Sequence, residues 1–132
     1  MPEEMKESKL FVFWGFNAAV SSPHFWALTL GAKRNGAMIV AVDPRKSETV
    51  LKSDFYLNPR PGTDVALAYG VMHVLMASEL YDRGFVEKYT VGFKPLREKA
   101  LKWTPSHVAE VTGIEETLVK RLTELYVEKR PA

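Results

Sequence analysis

Two short runs constrain this chain more than anything else in it. Residues 9–14 (KLFVFW) and 37–42 (AMIVAV) are apolar almost without interruption, and rich in aromatic and β-branched residues. A strand with one wet face alternates apolar with polar residues, whereas a strand covered on both faces does not. The two runs therefore read as parallel-sheet strands buried on both sides. Between them, Ser22 stands as an N-cap ahead of Pro23 in the first helical position, and Asn35-Gly36 forms a helix stop. Strand, helix, strand is the unit a parallel sheet requires, because its crossover needs a connection of about a dozen residues or more.

The remainder extends that pattern. Residues 15–22 read as a loop, 48–51 as a short helical turn and 54–58 as a third, shorter strand. After the break PRPG at 59–62, Thr63 and Asp64 cap a long helix expected over 65–80. That helix is apolar nearly all round, so it needs cover on more than one side. Short helices at 85–89, 95–102, 106–111 and 115–128 supply the cover. The expected fold is α/β and layered, with a short, mostly parallel sheet and a helical C-terminal third. Residues 1–8 read as a flexible, solvated leader. Residues 9–132 read as a single domain, with the sheet and its flanking helices in 9–80 and the helical cover in 81–132. Three strands leave exposed sheet edges, a first sign that the chain is part of something larger.

Composition narrows the function. The 18 basic and 16 acidic residues give a net charge of +2, too balanced to argue for nucleic acid or an anionic membrane. No apolar stretch is long enough to span a bilayer, so no membrane contact is expected from this segment. The start MPEEMKESK is acidic and polar, unlike a secretory signal, which points to the cytoplasm for the chain as it stands. With no cysteine, the chain has no disulfide, thiolate metal site or cysteine nucleophile. His24, His73 and His107 lie far apart and outside any metal-ligand spacing.

In open α/β sheets, ligands bind beyond the carboxyl ends of the strands. Three loops leave those ends. The first runs from Gly15 through Phe16 and Asn17 to Ser22. Gly15 lets a ligand approach the backbone, Asn17 offers a donor and an acceptor, and the following helix presents its N-terminus, which favours phosphate. A plain strand-to-helix turn fits the same residues. The second loop holds Asp43, Pro44 and Arg45. Its acid suits a ribose hydroxyl and its basic residues suit a phosphate, yet Asp-Pro is also an ordinary turn. The third holds Gly62, Thr63 and Asp64. Asp64 either complements a helix dipole or offers two acceptor oxygens to the N1–H and N2–H₂ donors of guanine. Together the loops place the acids and glycines a nucleotide needs at one sheet edge.

The set G-x-N at Gly15 to Asn17, D-P-R at Asp43 to Arg45 and P-G-T-D at Pro61 to Asp64 resembles the molybdopterin oxidoreductase family, of the dimethyl sulfoxide reductase, formate dehydrogenase, nitrate reductase and polysulfide reductase type. LYDRGFVEKYTVGF at 80–93 and WTPSHVAEVTGI at 103–114 resemble the segments that follow in that family, so the similarity covers about residues 9–128. The resemblance implies a Rossmann-like domain gripping the guanine nucleotide part of a molybdopterin guanine dinucleotide, whose molybdenum or tungsten sits in the parent enzyme. By position, Gly15, Phe16, Asn17 and the loop to Ser22 would approach the pyrophosphate. Asp43, Pro44 and Arg45 would line the ribose or guanine, and Gly62, Thr63 and Asp64 would hold the guanine edge.

The sequence departs from the family at Ala18, where a proline is frequent. It also lacks the family's cluster-binding cysteines and its metal ligand. The expectation is an excised or truncated domain whose partners are the remaining domains of the parent oxidoreductase. It would have no complete active site and no redox turnover alone, no cofactor would stay on the isolated chain, and exposed apolar surface would favour self-association. The competing readings are a free-standing guanine-nucleotide-binding module and a scaffold that binds nothing. Elsewhere, His24 reads as a surface histidine, His73 as a satisfied interior one, and Trp14 and Trp26 as core.

Overall fold

The computed structural model describes residues 2–132. The chain divides into two compact units, Met1–Pro59 with Leu125–Ala132, and Arg60–Glu124. The boundary falls where the chain leaves its third strand, not at residue 80.

The first unit carries a sheet of three strands, β1 (Leu10–Trp14), β2 (Met38–Val42) and β3 (Phe55–Leu57), in that order and all parallel. Leu10 pairs with Met38 and Trp14 with Val42, so β1 and β2 end side by side. The two apolar runs are buried on both faces, as their lack of alternation requires. On one face Phe11, Phe13 and Ile39 join Ala18, Ala32 and Ala37 in a core against which Met5, Phe25, Trp26 and Leu30 pack. On the other, Leu10, Val40 and Val42 are buried as well. Phe13 meets Phe25 and Trp26 edge-on at centroid distances of 5.8 and 5.7 Å. Burying one such side chain contributes about 1.5–3 kcal/mol relative to leaving it in water.

Two helices connect β1 to β2. The longer, α2 (Pro23–Arg34), stops at Asn35 as expected. The shorter, α1 (Ala18–Ser21), occupies part of the stretch read as loop. Ser22 closes α1 and opens α2, and this double duty corrects its reading as a side-chain cap. At ψ 70° its hydroxyl makes no capping hydrogen bond, and its N–H is committed to Ala18 O at 3.0 Å. The segment read as a leader holds a 3-10 helix, Pro2–Glu7. At the opposite end of the sheet from α1, Asp54 accepts from Ile39 N at 2.8 Å and from Lys33 Nζ at 2.6 Å, which fixes the entry into β2.

The second unit is helical. It contains α3 (Asp64–Ala77), α4 (Arg83–Tyr89), α5 (Phe93–Ala100), α6 (Pro105–Thr112) and the first part of α7 (Glu116–Glu128). The all-round apolar α3 is covered in part by α5 and α6. Gly70 permits the closest approach, with Val108 of α6 and Val119 of α7 filling the space where a side chain would stand. Side chains cap α4 and α6. Asp82 Oδ1 accepts from Phe85 N at 2.8 Å, and Thr104 Oγ1 from His107 N at 3.3 Å. Leu80, Phe85, Tyr89, Val91 and Leu96 remain exposed on this unit.

Candidate functional site

The candidate site lies at the carboxyl ends of β1 and β2 in the first unit. The ladder runs one residue past each strand, with Gly15 N donating to Val42 O at 2.7 Å and Asp43 N to Leu57 O at 3.1 Å. Gly15 then turns the chain at φ +62°, a left-handed conformation that glycine adopts without a Cβ penalty. A Cβ built there would meet nothing within 4 Å, so the space in front of the turn is open.

Beyond Gly15, each backbone N–H can be accounted for. Ala18 N donates to Phe16 O, Val20 N and Ser21 N to Asn17 O, and Ala19 N to Thr49 Oγ1. Phe16 N and Asn17 N donate to no group among the described residues. Two successive N–H groups without a protein partner, beside a left-handed glycine, are donors that an anion can take.

Asp43, at the end of β2, is buried to 6% exposure, yet its carboxylate is only half used. Its Oδ1 accepts from Arg45 N at 2.8 Å, which closes the Asp-Pro turn, and Oδ2 has no hydrogen bond among the described residues. Pro44, Arg45 and Lys46 are exposed around it. Burial first, and the Asp43 charge second, hold the Tyr56 phenol above its ordinary range. Gly15, Phe16, Asn17, Asp43 and Arg45 are thus brought together at adjacent strand ends, with a positive charge beside them.

Asn17 is held differently from the sequence reading. Its side chain is spent on the protein, with Nδ2 donating to Glu48 Oε2 at 2.7 Å and Oδ1 accepting from Thr49 Oγ1 at 2.9 Å and from Thr49 N at 3.3 Å. Glu48 and Thr49 escaped the sequence reading, which saw only a helical turn there. The available signal was a threonine among the apolar residues that follow DPRKSE. Glu48's own N–H first, then the Asn17 amide, hold the Glu48 carboxyl below its ordinary value of 4.5; slight desolvation opposes them and Arg45 adds to the lowering. A carboxyl so depressed keeps its contact above the ordinary value and loses it as pH falls through the folded one. The Asn17 side-chain amide resonance is therefore expected to move as the solution is acidified, with a midpoint below the ordinary 4.5. A titration of that resonance checks it, and a midpoint at or above that value would contradict the contact.

In the second unit, Gly62 turns at φ +83° ahead of α3. Thr63 holds the N-cap position but does not cap. At φ −106° and ψ 11° its hydroxyl turns back and donates to Arg60 O at 2.7 Å. Asp64 is the half-buried first residue of α3. Arg60, which entered the reading only as part of a loop, donates from its guanidinium to Glu110 O at 2.7 Å and Val111 O at 3.3 Å. It thereby satisfies carbonyls in the last turn of α6.

Of the residues set aside in sequence, Trp14 is half-buried at the end of β1. His24 is exposed and Trp26 packs on the core. The half-buried His73 places Nδ1 3.3 Å from Ala100 O. Among the described residues no group of three or more potential ligands is arranged to hold a metal ion, and no helix is long and apolar enough to cross a membrane.

A family model described as molybdopterin oxidoreductase matches residues 2–122. The chain is 39% identical over 131 residues to the probable oxidoreductase YoaE of Bacillus subtilis (strain 168), covering 99% of this chain and 19% of that protein. It is 33% identical over 129 residues to formate dehydrogenase H of Escherichia coli (strain K12), covering 98% of this chain and 18% of that one. Among solved structures it is similar to acetylene hydratase from Pelobacter acetylenicus, with a TM-score of 0.82, 31% identity, and coverage of 95% of this chain and 17% of that chain. The chain spans less than a fifth of the length of these relatives.

Proposed function

This chain belongs to the molybdopterin oxidoreductase family, and from that premise we propose that its first unit grips the phosphate and ribose in the guanine nucleotide half of a molybdopterin guanine dinucleotide. The family implies a molybdopterin cofactor with molybdenum or tungsten in the parent enzymes. One observation carries the guanine nucleotide reading. At neighbouring strand ends, two N–H groups without a protein partner beside the Gly15 turn stand next to Asp43, whose second carboxylate oxygen opens to solvent and has no partner among the described residues.

In this reading the N–H groups of Phe16 and Asn17 receive a phosphate oxygen. Asp43 Oδ2 accepts from a ribose hydroxyl, since a carboxylate can only accept. Arg45 offsets phosphate charge, Pro44 fixes the turn between them, and Ser22 shapes the corner between α1 and α2. In the second unit, the turn at Gly62 and Thr63 presents Asp64, whose carboxylate is assigned to the guanine N1–H and N2–H₂. When bound, the metal dithiolene supplies the electron transfer, and this chain contributes binding and orientation. The metal end and the substrate fall to other domains of a longer oxidoreductase.

Titration calorimetry with GMP and GDP, and AMP as control, tests the reading. A half-site making only part of the ligand's contacts is expected to bind with Kd of about 0.1–1 mM. Heat from GMP and GDP supports the phosphate and ribose assignment in the first unit, and guanine selectivity that is lost in Asp64→Ala supports the separate assignment of Asp64. Equal heat from AMP would remove the guanine assignment. Absence of heat from every nucleotide would leave a scaffold that binds none of them.

A further inference from the structure

We propose that Thr49 and Glu48 are positioning residues that set the preference for phosphate at the Gly15 turn, an inference that rests on the nucleotide site above. They lie on the turn after β2, whereas the free N–H groups lie on the turn after β1. Four hydrogen bonds join the two turns, and all converge on Asn17 and Thr49.

The Thr49 hydroxyl uses both its capacities. It donates to Asn17 Oδ1 at 2.9 Å and accepts from Ala19 N at 3.0 Å. At 1% exposure it is sealed from water, so no solvent molecule substitutes for it. Glu48 Oε2 takes the remaining function of Asn17 at 2.7 Å. Asn17 is therefore not a ligand contact through its side chain. It is a peg that fixes its own backbone.

Fixing that backbone has two consequences. Thr49 consumes the Ala19 N–H, which removes one donor of the first turn of α1 and leaves the phosphate to Phe16 N and Asn17 N. The peptide carrying those donors is also held from both sides, by Gly15 N on Val42 O and by the Asn17 side chain on Thr49. Donors held in advance lose less freedom when the anion arrives, and that difference appears as affinity. Asp43 takes no part in these four bonds, so a ligand without phosphate gains little from them.

The test pairs Thr49→Val, which keeps the shape and loses the hydroxyl, with Thr49→Ser, which restores it. Each full-length variant and the parent chain are titrated with GDP, GMP and guanosine, and circular dichroism confirms folding. Thr49→Val is expected to lose about five- to tenfold in affinity for GMP and GDP, the worth of one buried hydrogen bond. Guanosine affinity should be unchanged, and Thr49→Ser should recover most of the loss. Equal loss for guanosine would make Thr49 a general support of the fold and overturn the proposal, as would undiminished GMP binding in Thr49→Val. If the parent chain binds no nucleotide, the site and this inference fall together. Amide exchange at Ala19 then reports on the hydrogen bonds alone, which should quicken in Thr49→Val and not in Thr49→Ser.

Discussion

Replacing Gly70 by alanine is expected to destabilise the second unit by about 1–3 kcal/mol, the cost of forcing extra carbon into a packed interior. A Cβ at this position would stand 2.9 and 3.0 Å from the two methyls of Val108 and 3.1 Å from a methyl of Val119. Neither valine has a flexible end to swing aside, since branching at Cβ leaves one strongly preferred rotamer in a helix. The sign is the diagnostic. At a site with room, glycine to alanine inside a helix stabilises by about 0.8–1 kcal/mol. Urea unfolding should show a lower midpoint for Gly70→Ala, with partial recovery when Val108→Ala is added, because the two changes share one space. A raised midpoint in the single variant would mean that α3, α6 and α7 pack less closely at Gly70 than these separations require.

Asp43→Ala is expected to lower guanine nucleotide affinity by roughly ten- to a hundredfold, the worth of a hydrogen bond to a charged group. Two effects contribute. The ribose loses its acceptor, and Arg45 N loses the carboxylate that closes its turn at 2.8 Å. Asp43→Asn separates them, because an amide oxygen still accepts from Arg45 N but carries no charge. Calorimetry should find the asparagine variant folded and still much weaker in binding. If it binds as tightly as the parent, the carboxylate serves the turn alone and the ribose assignment fails.

The sheet was legible because burial on both faces writes itself as an unbroken apolar run, and β1 and β2 lie within one residue of those runs. The capping bonds of Asp82 and Thr104 act within three positions of the residue, yet neither residue was singled out as a cap from the sequence. Ser22 and Thr63 were singled out, and their side chains do not cap. Both stand at the right place, but the backbone there, at ψ 70° and 11°, turns the hydroxyl away from the helix N–H groups. Asn17 could not be read in advance, since its partners lie 31 and 32 residues away, across a strand pairing that sequence only implies. Gly15 and Asp43 were legible as a pair once two parallel strands were expected to end together. The free N–H groups were not, because freedom is what remains when every other donor has been assigned.

Arg60 carries a consequence for how the second unit is held together. Its guanidinium reaches carbonyls 50 and 51 residues further along, and its own N–H binds Thr112 O at 2.9 Å. The same residue supplies the carbonyl that receives both Thr63 N and the Thr63 hydroxyl at the start of α3. The beginning and the far end of the unit are thus buckled through one side chain. Closing a loop of this length costs entropy that only the completed contacts return. The first turn of α3 is anchored locally, on the Arg60 carbonyl three residues back, while the guanidinium and N–H of the same residue hold the far end of α6, so one residue ties together the two ends of the unit's first fifty residues.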